Sequence, residues 1–202
     1  PTPYPYCQTK REAEALALRY HRDGRVAVTI VRPGDIYGPG DRVVLRRLAR
    51  LLRLGAVPYV AEGRKMGAFT YVENLAEGLI LAGTSERAVG EAYVITDGIK
   101  MTWREYFVGL TRALGYPEPR FSVSPAFACT AASALEFVYR NLGIPGRPPI
   151  THYLATHMAN DFHFSIAKAR HEIGYEPRIG VDEGFRRTAI WLLDSTTEVS
   201  WS

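Results

Sequence analysis

The segment VAVTIVRPGDIYGPGD, residues 26–41, decides the fold class. Its first half, residues 26–32, is almost entirely apolar and rich in β-branched side chains, which is typical of a strand covered on both faces in a parallel sheet. Its second half, residues 33–41, holds three glycines and two prolines in nine residues and predicts a loop. A buried strand followed by a Gly/Pro loop indicates an α/β domain.

Outward from this segment, predicted helices and strands alternate along the chain. Upstream, residues 7–22 combine strong helix formers with helically spaced apolar residues, and Gly24 ends that helix. Downstream, a capping box of Thr102 and Glu105 opens a helix that runs to Leu114. The remaining expectations are strands at 68–72, 92–96 and 162–166, and helices at 41–55, 73–82, 125–141, 166–173 and 181–194. The alternation predicts an α/β sheet with an added helical lobe.

The helix predicted within residues 41–55 has a basic face and an apolar face. At about 100° per residue, five arginines share one arc and four apolar side chains share the opposite one: Arg42, Arg46, Arg47, Arg50 and Arg53 against Val44, Leu48, Leu51 and Leu52. We interpret the basic arc as a solvated face. A diphosphate contact and an anionic membrane surface are its functional alternatives.

Composition narrows the classes of partner. The chain has 202 residues, of which 47% are hydrophobic and 23% charged, with a net charge of +4, as in ordinary globular proteins. This mildly basic balance suits an anionic ligand or an acidic membrane surface and is too small to indicate nucleic-acid binding.

Two cysteines imply no disulfide framework and favour a reducing, cytoplasmic compartment. The apolar stretch 123–139, interrupted by Glu136, predicts a buried or interfacial helix.

Two sets of residues resemble metal or carboxylate sites but are better explained otherwise. His152, His157 and His163 are spaced by five and six, so no two share a helix face and no zinc site is expected. The three acidic residues Asp35, Asp41 and Glu73 fit loop and capping roles.

Tyr6 and Lys10 stand four residues apart at the start of the first predicted helix. Residues at that spacing share a helix face, so the ammonium group would stabilise a phenolate and lower the tyrosine pKa from its ordinary value of about 10. Tyr6 would then be usable for proton transfer near neutral pH. The spacing alone carries little weight in a chain with 12 tyrosines. Its position just before a buried strand and a Gly/Pro loop is what makes it informative.

These motifs together resemble the second half of an extended short-chain dehydrogenase/reductase, of the NAD-dependent epimerase/dehydratase superfamily. YCQTK (6–10) matches the family's YxxxK motif, and VRPGDIYGPGD (31–41) matches its RPxxxYGPGD loop. The agreement continues in order through FTYVENLAEGLILA, GEAYVITDG, TWREYF and the segment 164–192. FTYVEN, the apolar helix after Pro125 and FHFSIAKARHEIGYEP resemble the 3β-hydroxysteroid dehydrogenase branch, which includes the decarboxylating sterol dehydrogenases.

The resemblance implies roles for particular residues. Tyr6 would be the catalytic acid/base, and Lys10 would lower its pKa and hold the nicotinamide ribose. Pro33, Gly34 and Ile36 would lie along the nicotinamide. NAD is the implied cofactor, with NADP as the alternative, and no metal is implied.

The resemblance also implies a fold: the C-terminal part of a Rossmann-type doubly wound parallel sheet plus a smaller, mostly helical substrate-binding lobe. Residues 1–37 and 70–97 would form the cofactor-binding part, and 38–69 and 98–202 the lobe. No glycine-rich pyrophosphate turn follows a strand, and Thr2 is too close to Tyr6 to complete the family's catalytic triad. The chain therefore resembles a C-terminal portion that is inactive alone, and the N-terminal half of the same protein is an expected partner.

The function expected of the intact protein is oxidoreduction of a secondary alcohol or ketone on a steroid-like or other bulky apolar small molecule. A nucleotide-sugar epimerase or dehydratase is the alternative within the enzymes. A non-catalytic binding remnant is the alternative from another class. A homodimer and peripheral contact with a membrane complete the expected partners.

Overall fold

The computed structural model describes residues 4–146 and 148–197, so Thr2, Arg147 and the tail after 197 lie outside the description. Within that part the helices are α1 (Pro5–Arg22), α2 (Val44–Arg53), α3 (Val72–Thr84), α4 (Trp103–Leu114), α5 (Pro125–Asn141), α6 (His152–Met158), α7 (Ala167–Ile173) and α8 (Val181–Thr197). The strands are β1 (Ile30–Pro33), β2 (Asp35–Tyr37), β3 (Tyr59–Val60), β4 (Met66–Gly67), β5 (Phe69–Tyr71), β6 (Ala92–Ile95), β7 (Met101–Thr102) and β8 (Ser122–Val123). No helix of this part is both long and apolar enough to cross a membrane.

Two parallel strand pairs meet at Gly34. β1 runs parallel to β6, with Pro33 opposite Ile95, and β2 runs parallel to β5. The Gly34 N–H donates to the carbonyl of Ile95 at 3.2 Å, and the next N–H, of Asp35, donates to the carbonyl of Ala68 at 2.6 Å. The backbones approach so closely that a Cβ added to Gly34 would overlap the Ala68 carbonyl oxygen. The predicted α/β class with parallel strands is thereby confirmed.

Two details of the segment 26–41 differ from the prediction. The expected loop contains β2, because residues 35–37 find a partner in β5 that no local pattern indicates. The expected strand at 26–32 begins only at Ile30, and its covering on both faces is wrong, since Val26, Arg32 and Pro33 are exposed. On one side β1 packs against α3, while α1 on the other side contributes no buried residue.

The strand expected at 162–166 is also wrong. These residues form no ladder, and the N–H of Phe162 makes a single hydrogen bond, to the carbonyl of Met66 at 2.9 Å. The Phe162 ring instead packs against His157, with ring centres 4.4 Å apart. The segment therefore makes side-chain stacking and one backbone hydrogen bond in place of the expected strand pairing.

Helix α4 lies at the centre of the larger hydrophobic cluster. Its capping box is present as predicted: the N–H of Glu105 donates to Thr102 Oγ1 at 3.2 Å, and the N–H of Thr102 donates to Glu105 Oε2 at 2.7 Å. Tyr106 of α4 stacks on Phe69 of β5 with ring centres 4.3 Å apart. Helix α8 packs along α4 and completes this layer.

Asp97, which follows β6, is a buried polar junction. Its carboxylate accepts hydrogen bonds from the Tyr71 N–H at 3.0 Å and from Asn74 Nδ2 at 2.8 Å. The amide oxygen of Asn74 in turn accepts the N–H groups of Arg178 and Ile179. Burial raises the pKa of the Asp97 carboxyl, and the Asn74 hydrogen bond opposes that shift. The junction joins β5, β6 and α3 to the segment before α8.

Candidate active site

Tyr6 and Lys10 project together from the first turns of α1. The helix begins at Pro5, which suits a first helical position because proline lacks an N–H to satisfy there. Lys10 Nζ lies 5.8 Å from the centre of the Tyr6 ring. The Tyr6 side chain is 64% exposed and no residue of α1 is buried, so the phenol faces open space. The predicted pair is therefore brought together and is accessible.

The start of α1 rests on α6. The Tyr4 hydroxyl lies 3.0 Å from His152 Nδ1 and 3.1 Å from Thr156 Oγ1. The ring of Tyr153 meets the Tyr4 ring edge-on at 5.1 Å and lies 6.4 Å from the Tyr6 ring. Helix α6 thus fixes the end of α1 that carries Tyr6.

The same short helix also contacts the first residue of β2, Asp35. Tyr153 stacks on His157 with ring centres 6.0 Å apart and planes 10° from parallel. His157 Nε2 lies 2.8 Å from Asp35 Oδ1, and the Phe162 ring also stacks on His157. A continuous series of contacts therefore runs from Tyr6 through Tyr153 and His157 to Asp35. Sequence reasoning missed this series, because its members are far apart along the chain and no local pattern signals the pairing.

Pro33, Gly34 and Ile36 stand beside Asp35 at the β1–β2 junction. Pro33 and Ile36 are exposed, and Gly34 is half-buried at the close approach to Ala68. Among the residues that the structure describes, no hydrogen bond joins these three to Tyr6 or Lys10. The two groups are connected indirectly, through α6 and Asp35.

An ion pair adds a second connection between β1 and α1. Arg32 donates from Nε to Glu14 Oε2 at 3.0 Å and makes a further short contact to the same carboxylate. The Arg32 hydrogen bond lowers the pKa of the Glu14 carboxyl. The pair holds α1 alongside the strand whose end carries Pro33.

The exposed side chains at these two places are of two chemical kinds, polar and apolar. A phenol and an ammonium group are suitable hydrogen-bonding partners for ribose hydroxyls, and Pro33 with Ile36 offers apolar surface for a flat ring. The missing side chain at Gly34 keeps the junction compact. Tyr6, Lys10, Pro33 and Ile36 therefore carry groups of the kinds that bind a nicotinamide ribose and ring.

The acidic residues have structural roles. Asp41 caps α2, since its carboxylate accepts the N–H groups of Val43 and Val44 at 3.0 and 2.8 Å. Glu73 in the first turn of α3 pairs with Arg187 at 2.8 Å. No group of three or more His, Cys, Asp or Glu side chains in the described part of the chain could hold a metal ion.

The basic face of α2 is only partly solvated. Arg42, Arg50 and Arg53 are exposed, whereas Arg46 is half-buried and lies over the Trp191 ring at 5.4 Å. The apolar arc is also rotated from the prediction, because Val44 is exposed and Leu45 is buried in its place. Packing against α8, which carries Trp191, sets this rotation.

Comparison with known proteins shows the family to which the chain belongs. The family model described as the 3-beta hydroxysteroid dehydrogenase/isomerase family matches residues 2–125. A 2-alkyl-3-oxoalkanoate reductase from Stenotrophomonas maltophilia is 32% identical over 187 residues, covering 91% of this chain and 56% of that protein. The 3beta-hydroxysteroid-dehydrogenase/decarboxylase isoform 2 of Arabidopsis thaliana is 30% identical over 194 residues, covering 91% of this chain and 34% of that protein.

A solved structure supports the same fold. The UDP-glucuronic acid 4-epimerase from Bacillus cereus, in complex with UDP-glucuronic acid and NAD, superimposes with a TM-score of 0.66 at 20% identity. The match covers 96% of this chain and 55% of that one. At 20% identity it is evidence for a shared Rossmann-type fold and not for a shared function. The chain spans about half the length of the first curated relative and of this structure. Because the family model matches more than half of its residues, the chain belongs to the 3-beta hydroxysteroid dehydrogenase/isomerase family.

Proposed function

We propose that the protein containing this chain is an NAD(P)-dependent oxidoreductase that interconverts a secondary alcohol and a ketone on a bulky apolar substrate. The observation that carries the proposal is the exposed Tyr6–Lys10 pair, fixed by α6 at the start of α1 in a chain of this family. Tyr6 gives a proton to the substrate oxygen or takes one from it. Lys10 stabilises the phenolate and binds the nicotinamide ribose.

We propose NAD as the cofactor, with NADP as the alternative, bound by Tyr6, Lys10, Pro33, Gly34 and Ile36. The nicotinamide supplies the hydride chemistry when it is bound. The protein positions the reactants and provides the electrostatic environment. We also propose that residues 1–37 and 70–97 form the cofactor side and that 38–69 and 98–202 form the substrate lobe. On that division, the contacts of α6 with α1 and with Asp35 join the two parts.

The relatives suggest a narrower substrate class. One is a reductase of 2-alkyl-3-oxoalkanoates, in which the ketone lies β to the carboxylate. Another pairs 3β-hydroxysteroid dehydrogenation with decarboxylation. A carboxyl group is lost readily when a ketone stands β to it. Both names therefore suit a substrate in which the carbon that bears the hydroxyl or ketone oxygen is bonded to the carbon that bears the carboxyl group. We propose that the substrate is an apolar 3-hydroxy or 3-oxo acid of this kind.

A nucleotide-sugar epimerase or dehydratase is the second candidate, favoured by the exposed arginines of α2. The deciding experiment assays the longest protein that contains this chain, with NAD and with NADP. The panel holds 2-alkyl-3-oxo acids, 3β-hydroxysteroids with and without a carboxyl group, and UDP-sugars. Reduced nicotinamide absorbance reports net oxidation or reduction, and chromatography of the products reports epimerisation or dehydration of the sugars, which leave the cofactor unchanged overall. Turnover of the sugars alone would contradict the proposal. Binding of apolar ligands without any turnover would favour the non-catalytic alternative.

Substitution of the pair tests its role in the same assay. Tyr6→Phe should lower turnover by about 10²–10⁴-fold, because it removes a positioned proton donor and keeps the ring. Cofactor binding should weaken far less than in Lys10→Met, since one neutral hydrogen bond is lost and the charged group stays. Lys10→Met should weaken cofactor binding as well as turnover. Tyr20→Phe, on the same helix and also exposed, is the matched control and should leave both unchanged. A Tyr6→Phe rate within a factor of two of the parent would remove Tyr6 from the mechanism.

A further inference from the structure

His157 makes one polar contact and several ring contacts, and it is none of the residues proposed to touch the cofactor. Its Nε2 lies 2.8 Å from Asp35 Oδ1 and 3.0 Å from Asp35 Oδ2. Its ring stacks on Tyr153 and on Phe162, and the Trp103 ring meets it edge-on at 5.8 Å. The His157 side chain is 15% exposed and the Asp35 side chain is 29% exposed. Because the polar contact is shielded from water, it is stronger than one on the open surface.

Helix α6 is attached to the rest of the protein by contacts that do not involve the His157 ring. It packs along α5, and the N–H of His152 donates to Glu136 Oε1 of that helix at 3.1 Å. A change of the His157 side chain therefore leaves the backbone of α6 attached to α5. The effects of such a change are expected at the contacts of the side chain itself, above all at Asp35 and Tyr153.

These two contacts lead to the two parts of the candidate site. Asp35 lies at the β1–β2 junction, between residues that would line the nicotinamide. Tyr153 lies on the other side, with its ring centre 6.4 Å from that of Tyr6. One side chain, that of His157, therefore connects the nicotinamide side of the site with the phenol.

We propose that His157 is a positioning residue, which sets the separation between the β1–β2 junction and the Tyr6 phenol. The substrate oxygen must reach the phenol while the carbon that bears it faces the nicotinamide side. The two parts must therefore stand at a fixed separation, and a displacement of about 1 Å can lower the rate about 10²-fold. The role of His157 in the reaction rests on the proposed function, whereas the connection between the two parts does not depend on it.

Two substitutions separate the two contacts of His157. His157→Phe keeps an aromatic ring to stack on Tyr153 and removes the hydrogen bond to Asp35. His157→Gln has an amide N–H in place of the imidazole N–H, so it keeps a donor for Asp35 and removes the ring stacking. Amide hydrogen exchange, followed by mass spectrometry on the longest protein that contains this chain, measures the result without any assay of activity.

Each substitution should affect a different segment. His157→Phe should speed exchange about tenfold in residues 34–37, because it leaves the half-buried Asp35 carboxylate without its partner. The start of α1, where the N–H of Gln8 donates to the Tyr4 carbonyl at 3.1 Å, should be unchanged in that variant. His157→Gln should do the reverse, with exchange about threefold faster at the start of α1, the usual worth of an aromatic contact, and unchanged in residues 34–37.

Lys65→Met is the matched control. It removes an ion pair with Asp161 at 2.7 Å, which joins the segment after α6 to the residue before β4. Exchange in both test segments should be unchanged in this variant. In the oxidoreductase assay, each His157 variant should lower kcat by about 10–10²-fold, with far smaller changes in the KM of the substrate and the Kd of the cofactor. Lys65→Met should leave kcat unchanged.

The exchange pattern and the kinetics can each contradict the proposal. Exchange that rises in both segments with either substitution, or in neither segment, would overturn the connection. So would a rise throughout the chain, because His157 would then stabilise the whole fold rather than these two parts. A kcat equal to that of the parent in both variants would overturn the role in positioning. If the parent turns over no oxidoreductase substrate and the exchange pattern is as expected, the proposed function fails and the connection stands.

Discussion

Replacement of Gly34 by alanine should damage the junction between β1 and β2. The added Cβ would overlap the carbonyl oxygen of Ala68 and would lie 2.8 Å from its carbonyl carbon and 3.0 Å from Thr70 Oγ1. The first two are backbone atoms of the chain just before β5, so they cannot rotate away as a side chain would. The variant can fold only if β2 moves away from β5.

The expected cost follows from what that movement breaks. The Asp35 N–H would lose its hydrogen bond to Ala68, and the Gly34 N–H would lose the one to Ile95. Each lost bond costs about 0.5–1.5 kcal/mol, and loosening the packing of β2 on β5 adds about 1–3 kcal/mol, the usual cost of overpacking. We expect the free energy of unfolding to fall by about 2–6 kcal/mol.

Urea unfolding of the parent and of two alanine variants measures this cost. Gly83→Ala is the matched control, because Gly83 lies in α3 and an added Cβ meets nothing within 4 Å. Since alanine favours a helix, that variant should be unchanged or more stable by up to about 1 kcal/mol. Both substitutions change the unfolded chain in the same way. The difference between the two variants in free energy of unfolding therefore measures the cost of the added Cβ at the β1–β2 junction. A Gly34→Ala protein within 0.5 kcal/mol of the control, a margin typical of surface changes, would refute the close approach.

Two further predictions concern stability. Thr102→Ala removes the cap of α4 and should lower the free energy of unfolding by about 1 kcal/mol, measured by urea unfolding; an unchanged midpoint would contradict the role of the capping box. Burial raises the folded-state pKa of Asp97 above its value in the unfolded chain, so the folded state favours the protonated carboxyl. The stability of the parent relative to Asp97→Asn should therefore be greatest below the ordinary pKa of about 4 and fall as the pH rises through the folded pKa. A pH-independent difference in denaturation midpoints would contradict this.

Local sequence signals were sufficient wherever the relevant residues lie within one turn of each other. The capping box of Thr102 and Glu105 spans three residues, and the structure confirms it. The Tyr6–Lys10 pair shares a helix face because helical periodicity alone places residues i and i+4 together. The parallel α/β class likewise follows from periodicity and from Gly/Pro punctuation.

Features that depend on long-range pairing could not be predicted in the same way. Residues 35–37 have the composition of a loop, and they become β2 only because β5 provides hydrogen-bond partners. Leu45 rather than Val44 faces the core because packing against α8 sets the rotation of α2.

The surroundings of Tyr6 depend on the tertiary structure to the same extent. His157 lies 122 residues from Asp35 in the sequence, and their contact at 2.8 Å exists because α6 packs between the start of α1 and the β1–β2 junction. The sequence by itself determined the chemistry of the pair and the helix that carries it. The tertiary structure decided what holds that helix in place, since contact between distant segments depends on packing that no local spacing encodes.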